Sequence, residues 1–348
     1  MKYFQTLLAG LVMLMLTQIA FAHHSQAEFD RSEIIEMEGE ITAAYWRNPH
    51  VNFSLKTIDN NGNEEVWEME TAAWNYLSRI GIPKDSIKVG DKVRVAVFQS
   101  TKRPRQLSLN NVLLESGIEI VFNGDGFSGN GQSRWSDRFY GIEGGEAAIQ
   151  PATITPTGDL GLFQVWAIAG GRRVPLDGEL PLTEQARAAQ AAWDPIAQDP
   201  LLRCISPGMP PTMGNPYPMQ FSEQDGNIIL KLEEFDNVRT IYMSGNVEAG
   251  APSPLGQSLG RWQDGSLLVE TNNINYPYFN RVGVAQSTEV TTSERFTLSE
   301  DGLRLDYELT ITDPITFTEP VSWGTYYIAG SGEVLHPYEC TVERYVDP

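Results

Sequence analysis

Apolar and polar residues alternate along most of this chain, and a period of two predicts strands rather than helices. The run Ile34-Ile35-Glu36-Met37-Glu38-Gly39-Glu40-Ile41 opens a long strand that extends to Trp46, and Pro49 interrupts it. Val51, Phe53 and Leu55 alternate with polar residues as a second strand, and Asp59-Asn60-Asn61-Gly62 is a turn signal. A third strand spans 65–70. Thr71 is placed to cap a short helix over 72–79, which Gly81 and Pro83 end. After the turn Val89-Gly90-Asp91, Val93, Val95 and Val97 alternate again, and a strand over 107–114 completes the set. Three strands, a helix and two strands is the order of an OB-type barrel, so an OB-like small barrel is expected within residues 23–115.

Residues 116–182 are Gly-rich with little periodicity, and the stretch 123–131 reads as a linker. This segment, with Trp135 and Trp166, is expected to wrap against a barrel. Thr183 opens the clearest helix, which runs to Trp193 and stops at Asp194-Pro195. Strands then follow over 219–223, 228–235, 238–243, 257–262, 266–271, 289–298, 304–312 and 321–328. Turns such as Asp225-Gly226, Asp264-Gly265 and Asp301-Gly302 separate them. Residues 183–348 therefore read as a closed, lipocalin-like antiparallel barrel of the up-and-down kind, because closure removes exposed strand edges. The expected class is all-β, with two barrels.

The opening of the chain changes the picture of where this fold works. One Lys, an apolar run from Phe4 to Ala20 and then Ala20-Phe21-Ala22 read as a secretory signal over 1–22, cleaved to leave His23 first. No second apolar run is long enough for a membrane span. With 45 acidic and 25 basic residues, the formal charge of −20 argues against nucleic-acid partners and anionic membrane surfaces. A periplasmic or secreted location is oxidising, so the two cysteines, Cys204 and Cys340, are expected to pair.

Four histidines are present, and His23, His24 and His50 lie near the start. An N-terminal His offers an amine and an imidazole to one metal. With His24 and His50 it forms a nitrogen-rich set suited to Cu(II). Glu28 and Asp30 are carboxylates that could complete or orient such a site. The alternative is a frayed terminus with His50 on a surface turn. The large barrel carries a second candidate, a cavity for a small, partly apolar ligand. Arg239, Tyr242, Arg261, Trp262, Glu270, Glu294, Tyr307 and Trp323 are its expected lining, with Phe235, Phe296 and Glu308 nearby. Against it stands the reading in which the aromatics fill the core and the charges face outward. No nucleophile elbow, phosphate loop, H-E-x-x-H or C-x-x-C is present.

Several of these stretches resemble a known family. His23-His24-Ser25, Ala27-Glu28-Phe29-Asp30, Gly39-Glu40-Ile41, Trp46-x-Asn48-Pro49-His50 and the Ile87–Asp91 turn together resemble a secreted bacterial domain of unknown function, number 6152, over about residues 23–115. The C-terminal stretches Asp199-Pro200-Leu201-Leu202-Arg203-Cys204, Asn215-Pro216-Tyr217-Pro218, Gly260-Arg261-Trp262 and Tyr338-Glu339-x-Cys340 look like uncharacterised secreted bacterial proteins. The resemblance implies that similar chains carry histidine where this one has Gln257 and Gln286. It implies an architecture and the N-terminal histidines, and no activity. Three function classes follow. The first is a secreted protein that binds copper at His23, His24 and His50 and a small ligand in the large barrel. The second is a periplasmic enzyme with a copper site or an acid–base site at Glu270, Glu294 or Glu308. The third is an interaction module without a small ligand.

Overall fold

The computed structural model describes residues 28–122, 132–141, 161–168, 180–215, 217–244, 247–248, 250–330 and 333–342. The expected signal segment, His23, His24 and the stretch 123–131 lie outside them. The described chain is all-β, built as two closed barrels.

In the first barrel β1 (Ile35–Tyr45) is long enough to pair antiparallel with both β2 (Asn52–Ile58) and β4 (Lys92–Gln99). β2 continues to β3 (Glu64–Glu70), and β4 to β5 (Gln106–Leu114). A parallel pairing of β3 with β5 closes the ring, giving the OB topology that the sequence predicts. One strand can serve two partners because it bends. Its register shifts between Ile41 and Ala43, and at Gly39 a Cβ would lie 2.3 Å from the Lys56 carbonyl oxygen. The inward row of Ile41, Phe53, Leu55, Met69, Val95, Val97, Leu107 and Leu109 fills the barrel. The helix α1 (Trp74–Arg79) then plugs one end with Leu77, and Ile80, Ile82 and Ile87 follow it inward. Thr71 is not its cap. Ala73 holds that position without a side-chain bond, because Thr71 is still paired to Val51 through backbone N–H.

The segment expected to wrap supplies strands to both barrels. β6 (Glu119–Val121) pairs with β5, and β7 (Phe139–Tyr140) pairs parallel with β6. Buried Glu119 fixes this addition by accepting the backbone N–H groups of Arg134, Trp135 and Ser136. β8 (Val165–Ile168) joins the second barrel. Too short to show a period of its own, it is held by the neighbours on either side.

The second barrel has nine strands where eight were expected. β9 (Met219–Gln224), β10 (Asn227–Leu232), β11 (Asn237–Tyr242), β12 (Gln257–Gln263), β13 (Ser266–Asn272), β14 (Thr291–Leu298), β15 (Arg304–Thr312) and β16 (Val321–Ala329) follow in order, and β8 seals β16 to β9. The tight hairpins at Asp225-Gly226 and Asp264-Gly265 have positive φ at both central residues, which the twist of flanking strands favours. One pair departs from the up-and-down expectation: β11 and β12 run parallel, so the 243–256 connection crosses from one end to the other. The helix α2 (Glu184–Ala191) starts at Thr183, whose hydroxyl accepts the Ala186 N–H.

β10 ends three residues before the expected Phe235. Phe235 and Asp236 both take positive φ, which stops the strand and turns the chain toward the first barrel. That turn carries Glu233 into the junction. Glu233 is 1% exposed and accepts from Arg79 Nη1 at 2.6 Å and Nη2 at 2.5 Å, from the Asn75 side chain at 3.1 Å and from the His336 backbone at 2.8 Å. The tail 333–342 binds both sides. Cys340 is bridged to Cys204 and pairs with Asn48 of the first barrel, whose carbonyl accepts the Thr341 N–H.

Arg79→Met is expected to cost about 3–5 kcal/mol, because it strands a buried carboxylate. Adding Glu233→Gln should recover part of that loss, measured by urea unfolding. Reducing the Cys204–Cys340 bridge, which spans 136 residues, should remove roughly 4–5 kcal/mol in the chain-entropy description. Thiol titration of the denatured, unreduced protein should find no free thiol.

Candidate functional site

The barrel junction gathers ionisable groups from both sides. On the first barrel, His50 follows the cis Asn48–Pro49 bond in the loop between β1 and β2. Asn48 is buried and holds this loop through a two-way hydrogen bond with Asn75 of α1. The half-buried His50 ring donates from Nδ1 to the Thr71 carbonyl at 2.9 Å. A carbonyl can only accept, so the proton sits on Nδ1 and the lone pair on Nε2. Burial, with the charge of Arg281, pushes the imidazole down to about 4. His50 is thus neutral at any ordinary pH. Among the described residues nothing bonds its Nε2.

Glu70, the last residue of β3, stands beside it and is buried. Burial raises its carboxyl above the ordinary range, and Arg103 opposes that shift from 3.4 Å. Arg103 also grips Glu28 through Nε, at 2.9 Å, and Nη2. Glu28 is the first described residue, so the chain enters the fold beside this cluster.

The second barrel contributes Asp199, Arg281, Glu234 and three tyrosines. Asp199 is 1% exposed. One carboxylate oxygen caps the short turn Pro200–Arg203 at Leu201, and the other lies 3.8 Å from Arg281 Nη2, beyond hydrogen-bond reach. The charge of Arg281 is felt at His50, Glu70, Glu234, Tyr217, Tyr276 and Tyr338 alike, which puts it at the centre of the junction. Burial raises Glu234 to about 7, although Asn215 donates to it. Burial also holds the hydroxyls of Tyr217, Tyr276 and Tyr338 neutral. Tyr338 packs on Phe235 at 4.7 Å and Tyr217 at 5.5 Å. A groove of about 600 Å³ opens nearby between α1 and the tail, edged by Trp46, Trp74, Lys84 and His336.

The other expected site residues are spread out. Asp30 is exposed and accepts from Ser32 through one oxygen, while Glu28 is taken by Arg103 and Ser100. Within the described residues, no three His, Cys, Asp or Glu side chains converge on a metal-sized point. In the second barrel strand alternation splits the expected cavity lining. Arg239, Glu294, Tyr307 and Trp323 are buried, whereas Arg261, Glu270 and Glu308 are on the outer wall and Trp262 is exposed at a strand end. Tyr242 is half-buried opposite Leu259, on the face away from Arg239 and Ile241. Inside, Arg239 and Glu294 satisfy each other at 2.6 and 3.0 Å, and the Tyr307 hydroxyl donates to Glu294 at 2.8 Å. Phe221, Phe296, Tyr307, Trp323 and Tyr327 form a continuous chain of ring contacts through the interior. Phe235, expected in that lining, lies at the junction instead.

The sequence offered no motif for Asp199, Glu234 or Arg281, which the fold of the second barrel brings together from distant loops. The stretches around Asp199, Tyr217 and Tyr338 did stand out by resemblance, but as architecture. Residues 11–106 match a family of unknown function, DUF6152. No curated protein and no solved structure matches the chain.

Glu234 yields a pH test. Its folded carboxyl sits at about 7 against an ordinary 4.5, so the unfolded chain ionises first. Stability from this residue is therefore full below about pH 4.5, falls as pH rises and levels off above 7. Glu234→Gln should remove that fall. It should gain up to about 3 kcal/mol over the parent at pH 8 and nothing at pH 4.5, measured by urea unfolding.

Proposed function

We propose that this is an exported binding protein that holds copper through His50 together with His23 and His24. The observation that carries the reading is the state of His50. Metal-binding imidazoles commonly fix one nitrogen by donating to a carbonyl and leave the other for the metal, and His50 does so through Thr71. Because burial keeps it neutral, no proton competes for Nε2 until well into the acid range. The remaining donors would come from the N-terminal histidines. His24 is four residues ahead of Glu28, a tether of at most about 14 Å, and Glu28 is clasped by the same Arg103 whose charge acts on His50. The disulfide fits an oxidising compartment. Among the described residues no helix is long and apolar enough to cross a membrane.

Protein that starts at His23 should bind one Cu(II), with nitrogen couplings in its electron paramagnetic resonance spectrum. His50→Ala should weaken binding by about 10–100-fold or more, and a residue placed before His23 should weaken it too. The His50 imidazole, held down to about 4, carries no proton between pH 5 and 8. The ratio of parent to His50→Ala affinity should therefore stay constant over that range. The absolute affinity should still fall with acid, through the terminal amine near 7.7–8.0 and the ordinary imidazoles near 6.5. Equal affinity for cleaved, extended and His50→Ala protein would end the reading.

A further inference from the structure

The guanidinium of Arg281 has five N–H donors, and among the described residues it makes no hydrogen bond. Its Nε and Nη2 are buried without a partner, and so is the Asp199 Oδ2 that faces it across 3.8 Å. Arg103 shows what this chain does with a guanidinium otherwise: the Nε–Nη2 edge closes on both oxygens of Glu28. Asp199 does not do the same for Arg281: one of its oxygens caps Leu201 and the other stands 3.8 Å away. It neutralises the cation without using the donors. A buried polar group left in this state marks either a strained structural pair or a place where something else is received.

We propose that Arg281 receives the carboxylate of a small organic monoacid at the barrel junction. Its side chain is 23% exposed but Nε and Nη2 are covered, so a carboxylate that uses the fork enters by displacing what covers them. A planar carboxylate matches the guanidinium fork, with two parallel bonds. The surroundings select the rest of the ligand. Arg281 acts on the hydroxyls of Tyr276, Tyr217 and Tyr338, which burial keeps neutral, and these rings suit an apolar or aromatic body. Asp199 already supplies one negative charge, and Glu70 and Glu234 are held toward their neutral forms. The pair is already neutral, so each added negative charge is opposed by burial, and monoacids are preferred over diacids and phosphate because they add the fewest.

This inference stands apart from the copper reading, and its test is run with metal removed. Benzoate is titrated into EDTA-treated full-length protein by calorimetry, alongside acetate, succinate and inorganic phosphate. Saturable binding of benzoate, tighter than acetate and much tighter than succinate or phosphate, is expected. Arg281→Lys keeps the charge but not the fork and should weaken benzoate at least tenfold while still melting cooperatively. Asp199→Asn keeps the cap but drops the competing charge and should tighten benzoate severalfold, which serves as the readout should Arg281→Lys fail to fold. No saturable benzoate binding would overturn the proposal. So would a preference for succinate or phosphate, or an Asp199→Asn protein with unchanged affinity.

Discussion

Everything at the barrel junction depends on one buried carboxylate. Glu233 accepts four hydrogen bonds from two separate parts of the chain: Arg79 and Asn75 on the helix of the first barrel, and the His336 backbone in the tail. A carboxylate out of water is costly unless its lone pairs are used, and here they are used up. The arrangement is directional in a way that apolar packing is not. It fixes which face of the small barrel meets the large one, and so brings His50 and Glu70 toward Arg281 and Asp199. The chain accepts positive φ at Phe235 and Asp236 to deliver Glu233 there, a local cost that the junction offsets.

The chemistry of the junction then comes from burial more than from any motif. His50 is made a lone-pair donor by lack of water and by one carbonyl. Glu234 is made nearly neutral by the same desolvation. Arg281 is left under-bonded, 3.8 Å from its counter-ion. His50 and Glu234, two groups with ordinary values in water, are shifted in opposite directions by position alone. That clustering of displaced titrations is a property of functional sites. In the interior of the large barrel Arg239, Glu294 and Tyr307 are just as buried but bond one another, with the Arg239 Nε left without a partner.

The fold was largely legible in the sequence. Alternation placed the five strands of the first barrel and the eight later strands of the second, since a half-buried strand must show a period of two. The strand at 165–168 was missed because four residues carry too little pattern, and the end of β10 because nothing local announces left-handed backbone at a Phe. The site was legible only in part. His50 could be singled out because histidine is rare here, and Cys204 with Cys340 because two cysteines leave one pairing. Alternation could not say which charged barrel residues face inward, so Glu294 and Glu270 looked alike although one is buried and the other solvated. Asp199, Glu234 and Arg281 come from distant loops of the second barrel, and their meeting is a consequence of its tertiary fold that no local pattern encodes.

The position of β8 has a consequence for the order of events when the chain is made. The first barrel closes with strands that all lie between residues 35 and 114, so it can form while the rest is still emerging. The second barrel is sealed by residues 165–168 against 327–329, neighbours in space separated by about 160 residues of sequence. Until residue 329 has appeared, β8 has only one edge to pair with, and the apolar interior faces outward. A chain threaded through a membrane from its N-terminus would thus carry a finished small barrel ahead of an open sheet. Cys340 is among the last residues to arrive, so its bond to Cys204 can form only after the full complement of strands is present. The bridge therefore serves as a lock set at completion, and a truncated chain is left both unsealed and with an odd thiol.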